Sequence, residues 1–427
     1  MAVRAGIVVT GTEVLTGRVA DRNGPWLAEA LRTMGVDVGS VVVVGDRPDD
    51  LRAALAFLAG SGVDLLITTG GLGPTADDLT AAVVGGFQGR PSELDPELER
   101  RIAAVVERLT AMRGWDTPPE AAAAGIAKQA LVPAGATVLE PVGTAPGLVV
   151  PVAGGRSGPP VLVLPGPPSE LQGMWPAAVA AEPVRRALAG ATELRQSTLR
   201  LWGTPESELA ATLRRVEDQL AGLEVTTCLR DGELEIVTRY APSAAEAYGR
   251  LVTAVRADFA TTLFSEGPTV DELVAGLLDE RGWTVAVGEA DTGGLVTARL
   301  TRAAGSSRRV LGGVVAYANE AKEQLLDVPA AVLTEHGAVS AAGAAALAEG
   351  ARRRFGADLG IGVSGIAGPG GGTAAKPVGT LHLAVAAPVG TSTAAHRLRG
   401  GRDAVRERTT TLVLHELRQL LTTAPAG

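Results

Sequence analysis

Short apolar runs alternate with amphipathic stretches in the first part of the chain. Residues 5–10, 38–44 and 64–69 are brief runs rich in Val, Ile, Leu and Thr, while 25–34 and 48–59 space their apolar positions as helices do. Short buried strands separated by helices predict βαβ units and a parallel sheet. Two further helices are expected over 96–112 and 118–130, then a strand over 161–164 closed by Pro165-Gly166-Pro167-Pro168. A first domain is therefore expected over 1–170.

The rhythm then changes. A strand over 198–202 precedes a helix reaching about residue 220, with Thr204 as its N-cap and Pro205 in its first turn. Strands over 223–228 and 233–240 form a hairpin around Arg230-Asp231-Gly232, and a helix covers 243–259. This βαββα order predicts a small α+β module within 171–266. The stretch 267–427 returns to α/β alternation. Strands are expected over 284–287, 310–317, 359–363 and 378–386. Helices are expected over 270–280, 293–301, 319–326, 340–355 and 402–421.

Composition narrows the function. The chain has 427 residues, 46% of them hydrophobic and 20% charged, which fits a soluble protein of several domains. Aromatic residues make up only 3%, so the cores must be aliphatic. The net charge of −8 argues against a general nucleic-acid binder. A single cysteine, Cys228, excludes an internal disulfide framework and suits a cytoplasmic location. No apolar run approaches the roughly 18 residues of a membrane span, and the run at 5–9 is too short for a signal-peptide core. No membrane association is expected.

All four histidines (His336, His382, His396, His415) lie in the last third. A metal site in the first half would therefore use oxygen ligands, favouring Mg²⁺ or Mn²⁺ over zinc. Lysine stands at only three positions, Lys128, Lys322 and Lys376, which makes each one worth following.

Three loops follow strand ends in the first domain, where open parallel sheets bind ligands. They are Thr10-Gly11-Thr12-Glu13, with Asn23 beyond; Val44-Gly45-Asp46; and Thr69-Gly70-Gly71-Leu72-Gly73-Pro74-Thr75-Ala76-Asp77-Asp78. Glycines let backbone N–H groups approach an anion, and the helix start adds a positive dipole end. Glu13, Asp46, Asp77 and Asp78 would gather carboxylates near that anion, which is sensible only with a cation between them. That combination points to metal-assisted attack on phosphorus. The same residues also fit a plain turn with Asp77 capping a helix.

The run from Thr69 to Asp78, with Gly11 and Glu13 before it and Pro165-Gly166-Pro167-Pro168-Ser169-Glu170 after it, resembles the CinA family. The first domain resembles the molybdopterin-binding MogA/MoaB fold, a three-layer domain on a parallel sheet. This resemblance implies an ADP-ribose pyrophosphatase that yields AMP and ribose 5-phosphate and requires Mg²⁺, Mn²⁺ or Co²⁺. It makes Asp46 and Asp78 the functional acids, and among the loop carboxylates Glu13, Asp77 and Asp78 are the expected metal ligands. Gly70, Gly71, Gly73, Pro74 and Thr75 would hold phosphate, with Gly11 and Asn23 beside them. Thr144, Gly166, Pro167 and Glu170 would close the pocket. The middle module resembles the KH-like domain of CinA proteins. It has no GXXG loop to clamp a nucleic-acid backbone, so it is expected to be a spacer or dimerisation module.

The last region carries Glu289-Ala290-Asp291-Thr292-Gly293-Gly294, Tyr317-Ala318-Asn319-Glu320-Ala321-Lys322 and a glycine-rich run opening with Ser364-Gly365 and passing Gly368. It resembles the CinA C-terminal domain, a nicotinamide mononucleotide deamidase family that uses a Ser/Lys pair. The family's serine position is Ala290 here, and alanine has no nucleophilic oxygen. The lysine and tyrosine positions keep Lys322 and Tyr317. An Asp291 carboxylate near Lys322 would favour its ammonium form and remove the base. The domain is therefore expected to be folded but inactive. Thr292, Gly293, Gly294, Asn319, Ser364, Gly365 and Gly368 would remain able to hold a nucleotide. Thr292 as a substitute nucleophile would instead make the protein bifunctional, and a non-catalytic nucleotide- or pterin-binding protein is a third reading. The family resemblance also implies a homodimer.

Overall fold

The computed structural model describes residues 3–113, 118–192, 194–230 and 232–423, so Asp231 of the expected hairpin tip lies outside the described residues. The chain divides into two compact units, Met1–Gln196 and Ser197–Gly427.

The first unit runs β1 (Arg4–Thr10), α1 (Thr12–Leu15), α2 (Asn23–Thr33), β2 (Asp37–Val44), α3 (Pro48–Gly60), β3 (Leu65–Thr69) and α4 (Thr80–Gln88). It continues through β4 (Ser92–Leu94), α5 (Pro96–Arg113), α6 (Pro119–Gln129), β5 (Leu131–Pro133), β6 (Thr137–Leu139), β7 (Gly147–Val150), β8 (Val161–Leu164), α7 (Pro168–Ala180) and α8 (Glu182–Ala187). Its main sheet has the order β2-β1-β3-β8-β7-β6. The four strands β2, β1, β3 and β8 are parallel, as expected. The added β7 and β6 run antiparallel, so the sheet is mixed at one edge.

Alternation along the strands explains the layering. Ile7 and Val9 of β1 pack with α2 and α7 residues such as Leu27, Leu31 and Leu171. Val8, between them, packs on the other face with Leu55 and Leu58 of α3 and Val84 of α4. A strand buried on both faces reads as a continuous apolar run, which is how this sheet was legible. Leu171, Met174 and Val184 complete one of these faces. The first unit consequently extends past residue 170 through α7 and α8.

The second unit begins with a small antiparallel sheet of order β10-β11-β9-β12. Its elements are β9 (Arg195–Trp202), α9 (Glu206–Arg215), β10 (Leu223–Arg230), β11 (Glu233–Tyr240), α10 (Ala245–Asp258) and β12 (Leu263–Ser265). The expected hairpin forms in register from Leu223 opposite Tyr240 to Arg230 opposite Glu233. Thr204 is not the cap of α9. Pro205 holds that position without a side-chain bond, and the Thr204 hydroxyl bonds Thr262 instead.

The rest of the unit comprises α11 (Val270–Arg281), β13 (Val285–Glu289), α12 (Leu295–Leu300), β14 (Val310–Val315), α13 (Asn319–Leu326), α14 (Ala330–Glu335), α15 (Ala341–Phe355), β15 (Leu359–Gly365), β16 (Thr380–Ala387), β17 (Gly390–Arg397) and α16 (Arg402–Thr423). The sheet order is β14-β13-β15-β16-β17, parallel in its first three strands and antiparallel in the last two. A capping box of Thr269 and Glu272 starts α11. Val285 and Val287 face α11 and α16, while Ala286 faces α15. Among the described residues, no helix is long and apolar enough to cross a membrane.

Candidate functional site

The carboxyl ends of β1, β2, β3 and β8 converge in the first unit. Gly11 donates to Val44 at 3.1 Å and Gly70 to Leu164 at 3.0 Å, tying the loops together by backbone bonds. Gly70 has a positive φ of 103°, and a Cβ there would stand 2.5 Å from the Thr10 carbonyl oxygen. Only glycine fits that approach. Asn23 is buried and donates to the Thr69 hydroxyl at 2.9 Å and to the Gly166 carbonyl at 2.6 Å. Its Oδ1 has no partner, so an acceptor remains beside the loops.

Thr75 organises the third loop. Its backbone N–H and hydroxyl both donate to Asp78 Oδ2, at 2.9 and 2.7 Å, and the hydroxyl also meets Asp77. The Thr75 hydroxyl holds the exposed Asp77 carboxyl below the usual carboxylate range, with Lys128 adding a smaller effect. The Asp78 carboxylate lies over Gly73, where a side chain would collide with it. Asp46 is fixed through one oxygen, which accepts from the Thr12 N–H at 2.8 Å and hydroxyl at 2.9 Å. Asp46 and Asp77 line one small crevice with Thr10 and Thr80.

Glu13 stands apart from this cluster, folded over Gly11. Among the described residues no three Asp, Glu, His or Cys side chains converge as a metal-binding group. The expected trio of Glu13, Asp77 and Asp78 is therefore not a preformed cage. The residues fit a hard cation held by two carboxylates, with water and substrate oxygens completing its shell, as Mg²⁺ commonly is. Pro74 packs against Gly125 of α6. Pro167 occupies the N-cap position of α7. Glu170 lies over Gly143, next to the half-buried Thr144, and burial raises its carboxyl pKa.

Lys128 is the site residue that the loop motifs missed. Its ammonium group donates to the Thr75 carbonyl from α6. The scarcity of lysine was the available signal.

In the second unit, Glu289 ends β13 fully buried. Its carboxylate accepts five hydrogen bonds: from the Thr292 hydroxyl, the N–H groups of Gly294, Val296 and Thr297, and the Thr297 hydroxyl, at 2.6 to 3.1 Å. Thr292 has no exposed surface. Its hydroxyl is thus occupied inside the fold by its bond to Glu289. Ala290 is 7% exposed and donates its N–H to Val363 at 3.0 Å, so the loop keeps its course without a hydroxyl. Gly293 follows, lying against Arg406.

Asp291 is 6% exposed, and neither carboxylate oxygen has a well-aligned hydrogen bond. Burial raises its pKa. The N–H groups of Asp291 and Gly365 and the charge of Arg406 offset only part of that effect. A Cβ on Gly365 would stand 2.8 Å from Oδ2, so glycine leaves room for this carboxylate.

Lys322 is buried in α13, and its ammonium group donates to the Tyr317 carbonyl at 2.7 Å. Burial lowers its pKa, with Glu320 the opposing charge. Asp291 is not among the groups acting on it, so the expectation that Asp291 holds Lys322 charged is corrected. Tyr317 and Asn319 are exposed at the entrance to α13. Ser364 turns inward and bonds the Ala338 carbonyl at 2.9 Å, so it braces the neighbouring loop instead of facing a ligand. Two arginines of α16 complete the region. Arg402 donates to the Gly368 carbonyl at 2.8 Å, and Arg406 to the Asp291 and Thr292 carbonyls at 3.1 and 3.0 Å. No local motif announces either one.

Residues 268–421 match the family described as the CinA C-terminal domain, and residues 6–184 match the probable molybdopterin binding domain. The chain is 56% identical over 426 residues to a CinA-like protein of Mycobacterium sp. (strain JLS), covering 99% of both chains. It is 51% identical over 434 residues to a CinA-like protein of Mycobacterium tuberculosis, covering 100% of this chain and 99% of the relative. The competence/damage inducible protein CihA from Agrobacterium tumefaciens is a similar solved structure, with 40% identity, 36% of this chain and 98% of that chain covered, and a TM-score of 0.34.

Proposed function

The chain belongs to the CinA family, and from that premise we propose that its first domain is a divalent-cation-dependent ADP-ribose pyrophosphatase acting in pyridine-nucleotide recycling. The clasp of Thr75 on Asp77 and Asp78, with Asp77 lining the same crevice as Asp46, carries this reading. Carboxylates beside a phosphate-binding loop repel their ligand, and Mg²⁺, Mn²⁺ or Co²⁺ bound between them would neutralise that charge. Asp77 and Asp78 are the residues that would hold the cation. The backbone of Gly70, Gly71 and Gly73 cradles phosphoryl oxygens, and Asn23 Oδ1 accepts from a ribose hydroxyl. Asp46 keeps one oxygen free of Thr12 and takes the proton of the attacking water. The new bond joins water oxygen to phosphorus. The bridging P–O bond breaks, and AMP and ribose 5-phosphate leave.

The third domain, in this reading, is a nicotinamide mononucleotide deamidase fold without its chemistry, because Ala290 stands where the nucleophile is needed. The buried Lys322 supports the kinship of the site and has no hydroxyl to deprotonate. The deciding experiment follows AMP release from ADP-ribose by the full chain, with each cation and with chelator. Cation-dependent release that disappears in Asp78→Asn supports the proposal. No release with any cation would overturn it in favour of a non-catalytic binding protein.

A further inference from the structure

The second unit contains a cavity of about 700 Å³ that neither candidate site uses. One wall is the antiparallel sheet, through Arg200 of β9, Arg230 at the end of β10, and Glu233 and Glu235 of β11. The other is formed by α11, α12 and α16. Five arginines line it, and three are fixed. Arg200 pairs with Glu235. Arg299 donates to both Asp271 oxygens at 3.0 and 2.8 Å, and to Thr410 and Thr411. Arg309 pairs with Asp279 at 2.6 Å. Glu233 is held by His415 at 2.7 Å.

Arg230 and Arg302 are exposed and, among the described residues, have no side-chain partner. Of the lining acids only Glu407 is similarly unengaged. Among the described residues, Arg230 and Arg302 are therefore the lining cations without an ion-pair partner, while Glu407 and Glu233, whose His415 partner has its pKa lowered by burial, are the lining acids without a cation. The remaining lining is aliphatic, with Val274, Leu278, Leu295, Leu300 and Leu414.

We propose that this cavity binds a small organic phosphate, with its phosphoryl group on Arg230 and Arg302 and its apolar body on the aliphatic wall. Guanidinium groups suit phosphoryl oxygens because their donors form a planar fork. The volume lies within the range of small-molecule sites. An uncharged ligand would leave both guanidinium groups unanswered, and inorganic phosphate alone would leave the aliphatic wall wet. A single nucleic-acid strand needs aromatic stacking platforms, and no aromatic side chain lines this cavity. The site is independent of the pyrophosphatase reading, since none of its residues belongs to the first unit.

The test is calorimetric titration of the full chain with ADP and with adenosine, repeated on the double variant Arg230→Glu, Arg302→Glu. The expected result is ADP binding that weakens at least 10-fold in the double variant, no matching adenosine binding, and an unchanged rate of AMP release from ADP-ribose. Equal ADP affinity in both proteins, or no ADP binding by the wild type, overturns the site. Adenosine binding as tightly as ADP also overturns it. If the double variant has a lowered melting temperature, Arg302→Gln alone reads the same site, with at least a threefold loss expected and no loss counting against it.

Discussion

Thr75 donates to a single oxygen of Asp78 twice, from its backbone N–H at 2.9 Å and its hydroxyl at 2.7 Å. The bonds fix the carboxylate over Gly73 and leave its other oxygen free for a ligand. The hydroxyl reaches Asp77 as well, so one threonine positions both acids. If Asp78 holds a cation, Asp78→Asn should lower AMP release by about 100-fold or more, as loss of a charged group in the transition state does. Thr75→Val keeps both acids and loses their positioning, and a loss of about 10-fold is expected. Steady-state rates across a cation titration separate the two, because extra cation should partly rescue Thr75→Val only.

Ala290 defines a second prediction. Wild-type protein should release no ammonia from nicotinamide mononucleotide. Ala290→Ser combined with Asp291→Cys should gain that activity, because burial already lowers the pKa of Lys322. The gained rate should rise with pH through the lowered lysine pKa, as more of the base becomes neutral. A wild type that deamidates this nucleotide at a comparable rate would show that the nucleophile lies elsewhere.

Asp291 gives a prediction about stability. Its folded pKa is raised by burial, so the folded state keeps a proton that the unfolded chain loses near the usual 3.9. The stability this contributes is present below about pH 3.9 and is lost as pH climbs through the raised value. Asparagine does not titrate. Asp291→Asn should therefore melt higher than wild type at pH 8, by a margin of about 1–3 kcal/mol, and that margin should shrink towards pH 4. A margin independent of pH would mean that the carboxylate has a partner.

Much of this molecule was legible because its central strands are apolar on both faces. The runs in β1, β3 and β8 are buried along their length, and β11 followed from its hairpin partner. The edge strand β17 was missed for the opposite reason. Its sequence, Gly390 to Arg397, is mostly small or polar and largely exposed, so it has no apolar alternation to read. The antiparallel β6 and β7 were missed because three- and four-residue strands leave little periodicity. In the sites, motifs revealed residues adjacent in sequence to a strand end. Lys128, Arg402 and Arg406 arrive from distant helices, and only folding brings them in. Thr292 and Ser364 belonged to the right motifs, but their hydroxyls turn inward, a choice made by Glu289 and Ala338 that no spacing encodes.

Glu289 provides the last test, of architecture instead of catalysis. All five of its partners are donors, three from backbone N–H groups in or next to the first turn of α12 and two from threonine hydroxyls. A carboxylate, which only accepts, satisfies them at both oxygens. Glutamine has nearly the same shape, yet one end becomes an NH₂ group facing N–H and hydroxyl donors. Two or three buried donors would then lose their acceptor, at about 1–3 kcal/mol each before relaxation. Glu289→Gln should therefore destabilise the second unit by about 3 kcal/mol or more, read as a lowered melting transition. AMP release by the first unit should persist at temperatures below that transition. A variant as stable as wild type would mean that α12 and the loop from Ala290 to Gly294 are held by something other than this carboxylate.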